Sequence, residues 1–242
     1  MPIRRQSYRI KPNLPCRIKP RPVIPLVFVH GFGLGFNRIG LDSMGLDYWY
    51  QIPQGLARNG ATVFAAELSA VASNELRGEQ LLMQVDEVLA ITSARKLNLP
   101  GHSQGGPTIQ YIEAIAPQKI ASLTAIAGAM KGTLIMEKGH NSPVLKSLLS
   151  ALSTVLGYSM NALTGSDYPV SAEDSMLALS TTEMEKFNQR YGSTAITKDC
   201  QSNGDKVTKN GIYHYSWIGN QQATNALDIV DINSCNTDEP TD

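Results

Sequence analysis

Val23 to Val29 is a continuous apolar run, mostly β-branched and aliphatic, with no charged or polar residue in it. A strand with no polar alternation has both faces buried, which is the condition of a parallel sheet covered by helices on each side. The rest of the chain supplies the layers this demands. Ala61 to Leu68 reads as a second strand after the Asn59-Gly60 turn, and Lys96 to Leu99 and Ala121 to Ala127 read as two more. Gly78 to Ala90 places Leu81, Leu82, Val85, Val88 and Leu89 on one helical face, and Pro107 to Ala116 is a further helix. Strands separated by helices imply right-handed crossovers and a mostly parallel sheet, hence one α/β domain.

Composition narrows the function classes. Lys+Arg and Asp+Glu are 21 each, so no net field exists to hold nucleic acid. No apolar run approaches the ~20 residues of a transmembrane segment. Cys16, Cys200 and Cys235 lack metal-site spacing and can form one pair at most. The ends differ from the middle. Residues 1–22 carry seven Arg or Lys and no acid, interrupted by prolines, and read as a disordered basic leader. No apolar core of a signal peptide follows them. Residues 231–242 read as an acidic tail, leaving 23–230 as the folded domain.

Gly101-His102-Ser103-Gln104-Gly105 is a G-x-S-x-G pattern between a strand and a helix. A sharp strand-to-helix turn exposes a serine hydroxyl at the carboxyl edge of a sheet, and side chains at the flanking glycines would strike neighbouring backbone. A glycine-rich turn of purely structural purpose could leave the same five residues. The order strand, motif, helix favours a nucleophile at Ser103. Val27-Phe28-Val29-His30-Gly31-Phe32-Gly33 ends another strand in a glycine-rich turn. An oxyanion hole takes one N–H from the residue after the nucleophile and one from an earlier loop, so Gln104 and Phe32 are the candidate donors.

Four stretches together resemble bacterial triacylglycerol lipases of the Pseudomonas and Proteus type. They are His30-Gly31 with Gly45-Leu46-Asp47-Tyr48-Trp49, Arg77 to Leu82, Gly101 to Thr108, and Tyr213 to Trp217 with Thr224-Asn225-Ala226-Leu227-Asp228. The resemblance implies an α/β-hydrolase fold and hydrolysis of acyl esters, triacylglycerols above all, at a lipid–water interface. It implies a serine acyl-enzyme with no cofactor in the chemistry, a structural calcium with Asp228 as a ligand, a lipase-specific foldase as partner, and secretion. It also implies a helical lid over about 142–165, where Val144, Leu145, Leu148, Leu149, Leu152, Val155, Leu156 and Leu163 recur at helical spacing beside Ser147, Ser150 and Ser153.

Departures from the family are equally legible. Its catalytic Asp and His follow the Leu-Asp motif, and this sequence ends soon after Asp228, so the C-terminal part of the fold is expected to be missing. Cys200 matches half of the family disulfide, and Cys235 comes too early by register to be the usual partner, though it could pair with it. Pro100 stands where an aliphatic residue ordinarily ends the nucleophile strand. His30, His102, His140 and His214 are the only histidines, and none aligns with the family's base. His214, inside the strand pattern Ile212 to Ile218, is the internal substitute to weigh, with a packing role as the alternative. A chain without its base could instead be a catalytically dead hydrolase that only binds lipid or a protein.

Overall fold

The structure, a computed structural model, describes residues 24–33, 48–197 and 202–219. The basic leader, the three cysteines, Asp228 and the acidic tail lie outside those residues. Five strands form one sheet in the order β2-β1-β3-β4-β5: β1 Leu26–Phe28, β2 Val63–Ala65, β3 Leu97–His102, β4 Ile120–Ile126 and β5 Tyr213–Trp217. All four pairings are parallel.

Alternation along β1 explains the layers. Val27 and Val29 enter the main core with Leu97, Leu99, Ile109, Ile112 and Leu123. Phe28 points the other way, against Trp49 and Val63. Helix α1, Ile52–Arg58, contributes Leu56 on that second side. On the first side α2, Asn74–Thr92, lays Leu81, Val85 and Val88 on the sheet, beside α3, Gly105–Ile115. Helix α2 starts at Asn74 rather than Gly78 because the Ser73 hydroxyl accepts the Leu76 N–H (3.3 Å) and caps it.

Strand β3 runs past the expected end at Leu99 to His102, carried by its register with β4. Pro100 sits inside it and costs one rung. Asn98 and His102 donate to the carbonyls of Pro25 and Val29 (2.9 and 3.0 Å), and the donor that would reach Val27 between them does not exist in proline. The Pro100 carbonyl still accepts the Val29 N–H (2.8 Å).

Past β4 the chain builds a helical layer: α4 Leu134–Asn141, α5 Pro143–Thr164, α6 Ala172–Ala178 and α7 Thr181–Tyr191. Ser142 caps α5, Pro143 occupies its first turn, and Gly165 ends it in the left-handed region at φ 67°. The periodicity had placed the apolar residues on one face and the serines on the other, and packing divides them differently. Ser153 is buried with Gly157 and Met160, while Val144, Leu148, Leu152 and Val155 are exposed by 63–81%. Gly157 decides this: a Cβ there would meet Val170 Cγ1 at 2.6 Å and Val71 Cγ2 at 3.3 Å, so the small-residue side approaches the body.

Candidate active site

The chain passes from β1 to β2 on one side, then crosses back over β1 to β3. The carboxyl ends of β1 and β3 therefore flank a topological switch point, where open α/β sheets place ligands. Ser103 follows the end of β3 there, with φ 53°, a left-handed conformation for a residue with a Cβ. Its backbone is over-determined. The Ser103 N–H donates to the Ile126 carbonyl (3.1 Å), and the Ser103 carbonyl accepts from Gly106 and Ala129 (3.0 and 3.1 Å). The glycines are required by space: a Cβ on Gly101 would lie 2.4 Å from Gly105 O, and one on Gly105 2.4 Å from Val29 O.

The second turn meets the first directly. A Cβ on Gly31 would lie 2.8 Å from Ser103 Cβ and 2.8 Å from Tyr48 Oη. Tyr48 uses its hydroxyl twice, accepting the Gly31 N–H (2.8 Å) and donating to His102 Nδ1. Burial lowers the pKa of His102 below its ordinary value. Gly33 N–H donates to Ala70 O (2.8 Å), so the turn is held on both sides of Phe32. Among the described residues the N–H groups of Phe32 and Gln104 find no acceptor. Two free main-chain donors thus flank a strained serine, the arrangement that can hold a tetrahedral oxyanion. Gln104 itself is buried, its amide donating to Ala72 O and Asn74 Oδ1 (2.8 and 3.1 Å).

Beneath the turn lies His30, fully buried. Leu68 N–H donates to its Nε2 (3.1 Å), so its Nδ1 carries the proton and donates to Gly31 O (2.9 Å). Burial first, then the nearby Arg77 cation, hold its pKa at about 3. His30 is therefore a neutral structural group. Above the turn, Leu156 of α5 packs with Phe32 and Val170 on a cluster of Ala70, Val71, Met160 and Ala172.

The Ser103 hydroxyl has no hydrogen bond to a described side chain. His214 is not its base. It pairs with Leu123, three residues up β4 from Ile126, and at ~3.3 Å per residue that is about 10 Å from the Ser103 end. Its Nε2 instead meets Glu113 Oε1 (2.9 Å). Tyr48, Arg77 and Thr108 received no role from the sequence. The legible signal for Arg77 was a cation on the same helical stripe as Leu81, Val85 and Val88.

The fold and the serine turn define a hydrolase class, and comparison agrees. The chain belongs to the α/β hydrolase fold family, whose pattern matches residues 24–222. It is 39% identical over 213 residues to a triacylglycerol lipase of Vibrio cholerae, covering 86% of this chain and 66% of that protein. A triacylglycerol lipase of Pseudomonas fragi is 34% identical over 200 residues, covering 81% and 66%. The chain thus spans just under two thirds of the length of these curated relatives. Among solved structures, the mature lipase BlEst2 of Bacillus licheniformis superposes with a TM-score of 0.55 at 16% identity, covering 84% of this chain and 68% of that one, and so shares the fold. The family resemblance read from the motifs is borne out.

Proposed function

We propose that this chain carries the nucleophile of a triacylglycerol lipase, a carboxylester hydrolase working at lipid–water interfaces. One observation carries the reading: Ser103 at φ 53°, packed on Gly31 between two main-chain donors that have no acceptor among the described residues. The names of the relatives support the ester class. Ser103 Oγ attacks the acyl carbon, the ester C=O electrons move onto oxygen, and the Phe32 and Gln104 N–H groups hold that oxyanion. On collapse the ester C–O bond breaks, and the proton given up by the Ser103 hydroxyl ends on the leaving oxygen, which departs as the alcohol. Water then cleaves the acyl-serine to the free acid and regenerates the Ser103 hydroxyl. A lid at 142–165 is supported by the exposed apolar row on α5 and by Leu156 on the Phe32 turn. The calcium at Asp228, the foldase and secretion rest on the motif resemblance alone. No observation favours the catalytically dead alternative.

The test is covalent labelling and turnover on the full chain. A fluorophosphonate probe is expected on Ser103, and Ser103→Ala is expected to abolish labelling and to lower ester hydrolysis by ~10³-fold or more. Hydrolysis of a short monomeric ester is compared with that of an emulsified triacylglycerol. Labelling unchanged in Ser103→Ala removes the nucleophile. Labelling at Ser103 with no preference for the emulsion keeps the esterase and removes the lipase.

A further inference from the structure

Arg77 lies on the inner face of α2 with no exposed surface, and no Asp or Glu pairs with it among the described residues. An unpaired buried cation costs several kcal/mol unless its donors are well used. They are used on main-chain and hydroxyl oxygens. Nη2 donates to His30 O (2.5 Å), Nη1 to Ser69 O, and Nε to Thr108 Oγ1 (3.3 Å). These acceptors belong to three separate segments of the chain. His30 O is two residues before Phe32, in the turn after β1. Ser69 follows β2 and precedes Ala70, whose carbonyl takes the Gly33 N–H (2.8 Å). Thr108 is in the first turn of α3, and its hydroxyl donates to the Gln104 carbonyl (2.8 Å).

One guanidinium is therefore tied toward Phe32 on one side and, through Thr108, to Gln104 on the other. We propose that Arg77 is a positioning residue of the reaction: its planar fork sets the spacing of the two oxyanion donors, and its unneutralised charge adds positive potential where the oxyanion forms. This rests on Ser103 being the nucleophile. Geometry makes the fork hard to replace. A lysine carries the charge but cannot serve three acceptors in one plane, and a methionine serves none. Charge without a partner carboxylate acts at longer reach in a low-dielectric interior than the same charge paired. Burial lowers the guanidinium to about 9, so it stays cationic at neutral pH.

Phosphonylation of Ser103 by a fluorophosphonate reads this directly, because its transition state places an oxyanion on the same donors. Full-length wild type, Arg77→Lys, Arg77→Met and Thr108→Val are compared for rate constant, half-saturating probe concentration and final labelled fraction. Arg77→Met is expected to lose ~10²–10³-fold in rate constant, on the scale of a lost oxyanion donor. Arg77→Lys should fall between it and wild type, and Thr108→Val should lose several-fold. Half-saturation and final fraction should stay unchanged, since a merely misfolded subpopulation lowers the fraction instead. Folded Arg77 variants with the wild-type rate constant overturn the proposal. If both Arg77 variants unfold, Thr108→Val decides, and an unchanged rate constant there overturns it. A wild type not labelled at Ser103 is a failure of the nucleophile reading, and the proposal falls with it.

Discussion

His30 shows how one buried side chain ties the turn to pH. Its folded pKa of about 3 lies below the ordinary 6.5, because burial and then Arg77 disfavour the imidazolium. The unfolded chain therefore binds the proton first. The associated stability is fully present above pH 6.5 and is lost as pH falls from 6.5 toward 3. Within that window each pH unit removes about 1.4 kcal/mol. Thermal unfolding of wild type and His30→Gln across pH 7 to 4 checks it. The variant is expected to be less stable at pH 7 and to show a flatter acid slope. Equal slopes mean that other groups carry the acid sensitivity. At this scale the serine turn was legible, because its requirement is local: Gly101 and Gly105 meet backbone within a few residues or one strand away. Arg77 was visible only as an oddity, since its acceptors are carbonyls that any residue type supplies.

Among the elements, α5 is the one whose two sides compete. Leu145, Leu149 and Leu156 turn partly inward while Val144, Leu148, Leu152 and Val155 face out, and Lys146 is the helix's only charged residue. Helical periodicity detected both apolar sets but merged them, because Ser153 reads as part of the polar face and Gly157 carries no side chain, yet both turn inward. Outward leucines contribute little to folding and, if buried in lipid, gain about 1.5–3 kcal/mol each. Leu148→Ser with Leu152→Ser should therefore leave the thermal midpoint within about 2 °C and weaken binding to zwitterionic phospholipid vesicles at least tenfold. Vesicle affinity equal to wild type means that this face does not engage lipid. Strand β3 makes the complementary point. The apolar pattern ends at Leu99, and pairing with β4 on its other side carries the strand through Pro100 to His102.

Across the whole molecule, β5, the last strand of the described sheet, is tied to the helix that follows Ser103. Glu113 of α3 is buried and shares its Oε1 between His214 Nε2 (2.9 Å) and Ser193 Oγ (3.1 Å), while its Oε2 has no partner among the described residues. Removing the imidazole leaves a buried carboxylate short of a donor, at a cost of about 1–3 kcal/mol. His214→Ala should thus lower the midpoint by ~2–10 °C, and Glu113→Gln in the same background should return part of that loss. Additive losses in the double variant mean that the pair is not coupled. The same pairing settles the candidate base: its place in the strand was legible, its partner was not.

What the sequence by itself determined was the class of fold and the placement of Ser103, Phe32 and Gln104 on strand-to-helix turns. Apolar periodicity and glycine spacing are local, and they state whether a segment is buried and where backbone must pass close. Tertiary structure alone decided the strand order that brings the two turns together, the side of α5 that meets the body, and the partners of Arg77 and His214. Those outcomes depend on which distant segment fills each face, and a buried polar group satisfied by a distant carbonyl or carboxylate leaves no pattern at its own position in the chain.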